Sequence, residues 1–180
     1  MTRKTSEAAS ARVAGADNDG LLQLRRSLAD SVMARMKGEI SGLSPHFGED
    51  YLQADDPEAK VYRSSGATFR WVAFAFSPWR MWDLHVGVVP VEGRRLSVGF
   101  HISERAAPAL LDDLKRLGES IGAPARHQAA AIEYQANLPH FDVDAVPLET
   151  LVEAISGLCR SYAAVAARVP CPAGMRADGA

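Results

Sequence analysis

The stretch "DLHVGVVPVEGRRLSVGFHI" (residues 83–102) decides the fold of this chain. Apolar and other residues alternate on both sides of a short segment, residues 92–94, that contains a glycine. Alternation with a period of two is typical of β-strands, and a short glycine-containing connection is typical of a hairpin. We therefore predict two antiparallel strands, residues 83–91 and 95–102.

One register of this hairpin keeps the apolar side chains of both strands on the same face. It places Leu84 opposite Ile102, Val86 opposite Phe100, Val88 opposite Val98 and Val91 opposite Arg95. A slip of one residue would put the two apolar sets on opposite faces, so we predict this register. On the other face it brings His85 opposite His101 and Gly87 opposite Gly99.

The predicted histidine pair is the sharpest indication of a site. Directly opposed residues have Cβ atoms about 5 Å apart, so both imidazoles could reach one ligand. We predict His85 and His101 as catalytic residues in acid–base chemistry on a small molecule. They could also begin a metal site if Asp83 or Glu104 joined them, but we assign no metal ligand. The alternative is a pair of ordinary hydrogen-bonded histidines on a half-exposed sheet.

The turn before the hairpin is rich in aromatic residues. It consists of "SPWRMW" (residues 77–82) and leads directly into the strand that carries the first histidine. Tryptophan recurs at binding mouths, and an arginine between two indoles can stack or bind an anion. We therefore assign ligand binding to Trp79, Arg80, Trp82 and, on the preceding strand, Trp71. The interpretation that the pattern favours for the turn itself is a plain turn whose indoles cap the sheet, and the nearby histidines keep the binding mouth as the alternative.

Further segments complete the predicted fold. Residues 68–76 are β-rich and almost wholly apolar, which indicates a central strand covered on both faces. Residues 130–135 predict another strand, and residues 60–63 predict a short edge strand. Apolar residues at steps of three and four predict helices in residues 21–43, 110–121 and 148–169. We therefore predict a single α+β domain, a mostly antiparallel sheet with helices packed on one face.

We predict three parts along the chain. Residues 1–17 are small and polar without a period, which is typical of a disordered N-terminal arm. Residues 18–169 form the single α+β domain, and an acidic or amide side chain at residues 17–19 caps its first helix. Residues 170–180 are predicted as a flexible C-terminal tail. Four basic residues lie off the apolar stripe of the first helix and are predicted to be solvated: Arg25, Arg26, Arg35 and Lys37.

The composition indicates an ordinary globular protein. Of the 180 residues, 47% are hydrophobic and 23% are charged, and the net charge is −2. This charge supplies no broad basic field, so we predict no nucleic-acid partner and no membrane binding. No apolar run reaches the roughly 18 residues that span a bilayer. We predict a cytoplasmic protein in which Cys159 and Cys171 are free thiols, because their spacing matches no zinc site.

Three segments carry a resemblance to known proteins: "TFRWVAFAF" (68–76), "WDLHVGVVP" (82–90) and "RLSVGFHISERA" (95–106). They resemble the central block of the YktB-like family, small uncharacterised bacterial proteins with a domain of unknown function. "SGLSPHFGEDY" (41–51) is similar to a turn that precedes this block in the family. The resemblance spans residues 28–121 and implies an α+β fold. It carries over no site residue and no activity.

These observations lead to one main hypothesis and one rival. The main hypothesis is a cytoplasmic small-molecule-binding protein whose pocket lies on the sheet, with no cofactor assigned. As an enzyme it would use His85 or His101 as general base in a non-redox or metal-assisted step. The rival is a non-catalytic accessory, regulatory or self-protection protein. It would bind a partner protein, or a second copy in a homodimer, through Trp79 and Trp82.

Overall fold

A computed structural model describes residues 4–66, 69–91, 94–103, 110–120, 125–128, 131–135 and 141–177. The helices are α1 (Lys4–Arg35), α2 (Pro57–Ser64), α3 (Leu111–Ser120) and α4 (Leu148–Ala166), with 3-10 helices at Gly48–Tyr51 and Ala173–Met175. The strands are β1 (Leu43–Phe47), β2 (Val72–Phe76), β3 (Leu84–Val91), β4 (Arg95–Ser103), β5 (Ala125–Gln128), β6 (Ala131–Gln135) and β7 (Phe141–Asp142). None of the described helices is both long enough and apolar enough to cross a membrane.

The strands form one sheet in the order β1, β2, β3, β4, β6, β5, and β7 pairs with β4. Every strand pair in the described part of the chain is antiparallel. Strands β1 to β4 are neighbours in the same order as in the chain, which short connections between antiparallel strands allow. The prediction of a single α+β domain with a mostly antiparallel sheet is confirmed.

The hairpin of β3 and β4 has the predicted register. Every predicted pair is present, including Leu84 opposite Ile102 and His85 opposite His101. Leu84, Phe100 and Ile102 each expose 2% or less of their surface. One face of the hairpin is therefore part of the core, and the opposite face carries the histidines.

The three long helices pack against this apolar face of the sheet. Leu28 of α1, Leu114 of α3 and Ile155 of α4 are fully buried in one cluster with Phe74 of β2. Burying one such side chain contributes roughly 1.5–3 kcal/mol, because its apolar surface leaves water. The three helices that the sequence predicts therefore pack on one face as expected, and this layer is the main core.

The opposite face of the sheet is covered by α2 and the 3-10 helix before it. Residues 60–63 belong to α2, so their prediction as an edge strand is wrong. Asp56 caps α2 by accepting the N–H groups of Glu58 at 2.8 Å and Ala59 at 3.0 Å, and a proline opens the first turn. These local signals outweigh the weak β-propensity of four residues. The edge strand is β1, which pairs with β2.

Helix α1 differs from its prediction at both ends. It begins at Lys4, whereas the predicted cap lies at residues 17–19 and a disordered arm is predicted before it. The alanine-rich run "AASARVAGA" (8–16) favours a helix instead, since alanine has the highest helix propensity. The helix ends at Arg35, and Gly38 follows in the left-handed conformation with φ of 83°, which favours glycine.

Residues 170–177 differ from the flexible tail predicted for this segment, because they pack on the turn before β3. Arg176 forms an isolated β-bridge with Trp79, and the Arg80 N–H donates to the Met175 carbonyl at 3.0 Å. Cys171 is only 7% exposed and anchors the segment in the core. Backbone hydrogen bonds and a buried anchor therefore hold this part of the C-terminal segment in place.

Candidate functional site

A cavity of about 220 Å³ lies on the sheet face opposite the three long helices. The residues that line it are Tyr62, Trp71, Val72, Ala73, Met81, Trp82, His85, Gly87, Val89 and His101. None of these ten residues is an aspartate, glutamate, lysine or arginine. The cavity therefore brings together both predicted catalytic histidines and two predicted ligand-binding tryptophans, Trp71 and Trp82.

The imidazoles of His85 and His101 stack face to face. Their ring centroids are 4.8 Å apart and their planes differ by 6°. The pairing of β3 and β4 sets this spacing, because directly opposed side chains point to the same side of the sheet. A Cβ at Gly87 would lie 3.5 Å from His85 Cδ2 and 3.6 Å from Nε2. The His85 ring therefore leans along the strand over Gly87, which is part of the cavity lining.

Backbone carbonyls of the turn before β3 orient both imidazoles. His85 Nδ1 lies 2.6 Å from the Met81 carbonyl oxygen, which can only accept, so Nδ1 carries the proton. The backbone of Trp82 forms a corresponding hydrogen bond with His101. Behind the sheet, the Tyr162 hydroxyl donates to the His101 carbonyl and ties β4 to α4. A neutral imidazole that donates through one nitrogen keeps a lone pair on the other, so each ring offers one acceptor to a ligand.

Burial keeps both histidines neutral. Burial, together with a smaller effect of the neighbouring His101, lowers the pKa of His85 from 6.5 to about 3. It lowers the pKa of His101 to about 4, although the Trp82 backbone and the charge of Asp83 act in the opposite direction. Both rings are therefore unprotonated and weakly basic at neutral pH. Because a general base works best with a pKa near the working pH, the pair is better suited to accept hydrogen bonds than to abstract protons.

Aromatic rings from three segments form one wall of the cavity. The Trp82 ring centroid lies 5.8 Å from that of Trp71 and 5.1 Å from that of Tyr62. Tyr51 packs against both indoles, and a 2.7 Å hydrogen bond joins its hydroxyl to His46 Nδ1. Rings in tilted or edge-to-face contact at these distances attract one another beyond simple burial. The wall is well packed, and a flat ligand could stack on it.

Trp71 is held in place by a buried arginine of α1. Arg25 is 0% exposed, so its prediction as a solvated residue is wrong. Its Nη1 donates to the Trp71 carbonyl oxygen at 2.6 Å, and its Nη2 donates to Glu49 at 3.3 Å. Burial lowers the pKa of Arg25, and the carboxylate of Glu49 opposes that effect. The hydrogen bonds and the ion pair compensate for burying a charge beside the cavity wall.

The structure places Trp79 and Arg80 outside this cavity. Trp79 is 3% exposed and belongs to the main core with the long helices. Arg80 binds the buried carboxylate of Asp83, with Nε and Nη2 both 2.7 Å from Oδ2. The turn therefore has two roles: Trp79 caps the core, whereas Trp82 lines the cavity.

The geometry of the histidine pair does not favour a shared metal ion. The lone pair of an imidazole nitrogen lies in the plane of its ring. The two ring planes are nearly parallel, so the lone pairs do not converge on one point as the ligands of one metal must. Asp83 is bound to Arg80, and Glu104 lies outside the described residues. Within the described part of the chain, no three potential metal-ligating side chains lie close enough together to hold one ion.

The sequence analysis assigned four of the ten lining residues to the site, and among those it missed are Tyr62 and Met81. Tyr62 lies on α2, and the signal for this helix is "DPEAKVYR" (56–63), in which an N-cap aspartate precedes a proline. Ala59 and Tyr62 are three residues apart, so they share the helix face that packs on the sheet. Met81 orients His85 through its backbone carbonyl, and a sequence pattern does not predict which backbone carbonyl accepts a side-chain hydrogen bond.

Comparisons with known proteins return no relative of this chain. No family model, no curated protein and no solved structure matches it significantly. The resemblance to the YktB-like family therefore stays a prediction. The functional interpretation rests on the geometry and chemistry of the cavity itself.

Proposed function

We propose that this chain is a small-molecule-binding protein whose ligand occupies the cavity at His85 and His101. One observation supports this function above the others. Two stacked imidazoles, each with one acceptor nitrogen, share a cavity in which none of the described lining residues is charged. Binding pockets are typically apolar concave sites with a few convergent polar groups, and this cavity has that character.

The ligand is a small, uncharged, planar molecule that donates hydrogen bonds. A charged ligand would leave water without an opposite charge to meet it in the lining, which is costly. The small residues Ala73 and Gly87 leave space for a ligand above the sheet, and the indoles provide a surface on which it can stack. The volume of about 220 Å³ lies below the roughly 300 Å³ at which drug-sized pockets begin, so it suits a single ring.

A catalytic role would use the same two histidines. In that version one imidazole takes a proton from the bound molecule, with no redox step. The lowered pKa values of His85 and His101 make this version secondary, because both rings are weak bases. No cofactor is assigned.

A protein-partner role at Trp79 and Trp82 has less support. Interface hot spots are exposed before the partner binds, whereas Trp79 is 3% exposed and Trp82 is half-buried in the cavity wall. A location in the cytoplasm without a nucleic-acid partner is part of the proposal. The net charge of −2 supports the absence of a nucleic-acid partner. The free thiols of Cys159 and Cys171 support a location in the reducing cytoplasm.

The proposal is tested by calorimetric titration with phenol, resorcinol and 2-pyridone, which are flat, uncharged donors. We expect at least one of them to bind the natural protein saturably. The variants His85→Phe and His101→Phe keep the stacked rings but remove the acceptor nitrogens. Each should weaken the binding of resorcinol, whose two hydroxyls can donate to both rings, about fivefold. Ser97→Ala, on β4 outside the lining, serves as the control and should bind normally.

A further variant separates loss of binding from loss of folding. Gly87→Ala adds a methyl group to the cavity lining at ordinary contact distances, 3.5 Å and 3.6 Å from the His85 ring. We expect the variant to melt like the natural protein and to bind more weakly, because the cavity is smaller. Absence of binding by all three probes, or equal binding by the natural protein and both phenylalanine variants, contradicts the proposal.

A further inference from the structure

A second and larger hollow lies on the helix side of the sheet. This groove, which we call the α4 groove, has a volume of about 710 Å³. It runs between the C-terminal half of α4, the turn after α1 and residues 169–176. Ala163 and Ala164 of α4 and Ala167 just after it line the groove, and Ile40, Trp79 and Val169 add apolar surface. The volume falls in the range of roughly 300–1,000 Å³ that is usual for ligand pockets.

The charges along the α4 groove do not balance. Glu39, Arg160 and Arg176 are its charged lining residues. Arg160 is neutralised, since its Nε donates to Glu39 Oε2 at 2.6 Å. Arg176 is exposed and has no ion-pair partner among the described residues. An apolar groove with one unbalanced guanidinium is complementary to an anion that carries an apolar body.

We infer that the α4 groove binds a free medium-chain fatty carboxylate, with the carboxylate on Arg176 and the alkyl chain along the alanines of α4. The carboxylate matches the planar fork of the guanidinium, which can hold both oxygens. The alkyl chain covers apolar surface that is otherwise in contact with water. This site is separate from the histidine cavity, which lies on the other face of the sheet, so it does not depend on the proposed function.

The affinity should rise with chain length and depend on the head group. Calorimetric titration with octanoate and decanoate should show an increase of about fourfold for each methylene that the groove buries. Decanol has the same chain without the charge, and we expect it to bind about fivefold more weakly than decanoate. Equal binding of decanol and decanoate overturns the assignment of the head group to Arg176.

Two matched pairs of variants locate the ligand. Ala164→Leu fills the groove from an exposed helix position, whereas Ser161→Leu changes an exposed residue of the same helix outside the lining. Arg176→Gln removes the cation, and Arg116→Gln on α3 is its control. We expect the first member of each pair to weaken decanoate binding by about fivefold or more, and each control to bind normally. If the two members of a pair change decanoate binding equally, the ligand does not lie in the α4 groove.

The two cysteines provide an independent readout. Cys171 lines the α4 groove, whereas Cys159 is 0% exposed and burial raises its pKa to about 12. Burial raises the pKa of Cys171 as well, but its 7% exposure beside the groove makes it the thiol that a disulfide reagent reaches first. Saturating decanoate should slow the modification of Cys171 severalfold. An unchanged rate, or no saturable decanoate binding at all, shows that the groove is not a fatty-carboxylate site.

Discussion

At the scale of single residues, the lowered pKa values of His85 and His101 make stability depend on pH. Each histidine takes up a proton more readily after unfolding, because its pKa is lower in the folded protein than the ordinary 6.5. The free energy of unfolding therefore falls as the pH drops below 6.5. The loss continues until the pH approaches 4 and then 3, where the folded protein is protonated as well.

This dependence can be isolated with the double variant His85→Phe and His101→Phe. We expect its free energy of unfolding to fall less steeply than that of the natural protein between about pH 7 and about pH 5. Urea unfolding at several pH values measures both slopes. His46, whose pKa is also lowered by burial, is present in both proteins and so contributes equally. Identical slopes would show that the pair is not desolvated.

Arg25 shows why some residue-scale roles are not visible in the sequence. The helical pattern places it beside the apolar stripe, where a long charged side chain is ordinarily solvated. Its partners, Glu49 and the Trp71 carbonyl, lie 24 and 46 residues away along the chain. A local periodic pattern does not predict such contacts, because they depend on how the segments before and after α2 pack on α1.

At the scale of elements, the hairpin of β3 and β4 was predictable and α2 was missed. A period of two over some eight residues per strand, with a short loop, leaves one register that keeps both apolar sets together. That register alone placed His85 opposite His101. Helix α2 has only eight residues, too few for a clear apolar stripe, although its capping aspartate was visible. The cavity wall was therefore only partly predictable.

Alanine substitutions at two glycines test how closely the elements pack. At Gly48 a Cβ would lie 2.6 Å from the Phe69 carbonyl carbon, because the end of β1 approaches that backbone closely. We expect Gly48→Ala to destabilise the protein by about 1–3 kcal/mol. Gly157 lies inside α4 with nothing within 4 Å of its Cβ position, so Gly157→Ala should stabilise by roughly 0.5–1 kcal/mol. Thermal unfolding measures both, and effects of the same sign would contradict this packing.

At the scale of the whole molecule, the two faces of the sheet have different tasks. The face under α1, α3 and α4 contains the main core, and its alternation made the fold class predictable. The other face is covered only in part, by Tyr51, Tyr62 and the turn around Trp82. That partial cover leaves the histidine cavity. The partial cover depends on contacts between segments that are distant in the chain. The sequence therefore predicted the histidines on the sheet better than the aromatic residues that surround them.

The central claim is that both imidazoles are neutral and present their acceptor nitrogens to one ligand. The most direct measurement is a long-range proton–nitrogen correlation spectrum of the histidine rings during titration with resorcinol, phenol or 2-pyridone. We expect His85 to be protonated at Nδ1 alone at neutral pH. The unprotonated nitrogens of His85 and His101 should then shift together with one saturation midpoint. A ring that is protonated at both nitrogens at neutral pH, or ring signals that none of the three probes moves, would contradict the account.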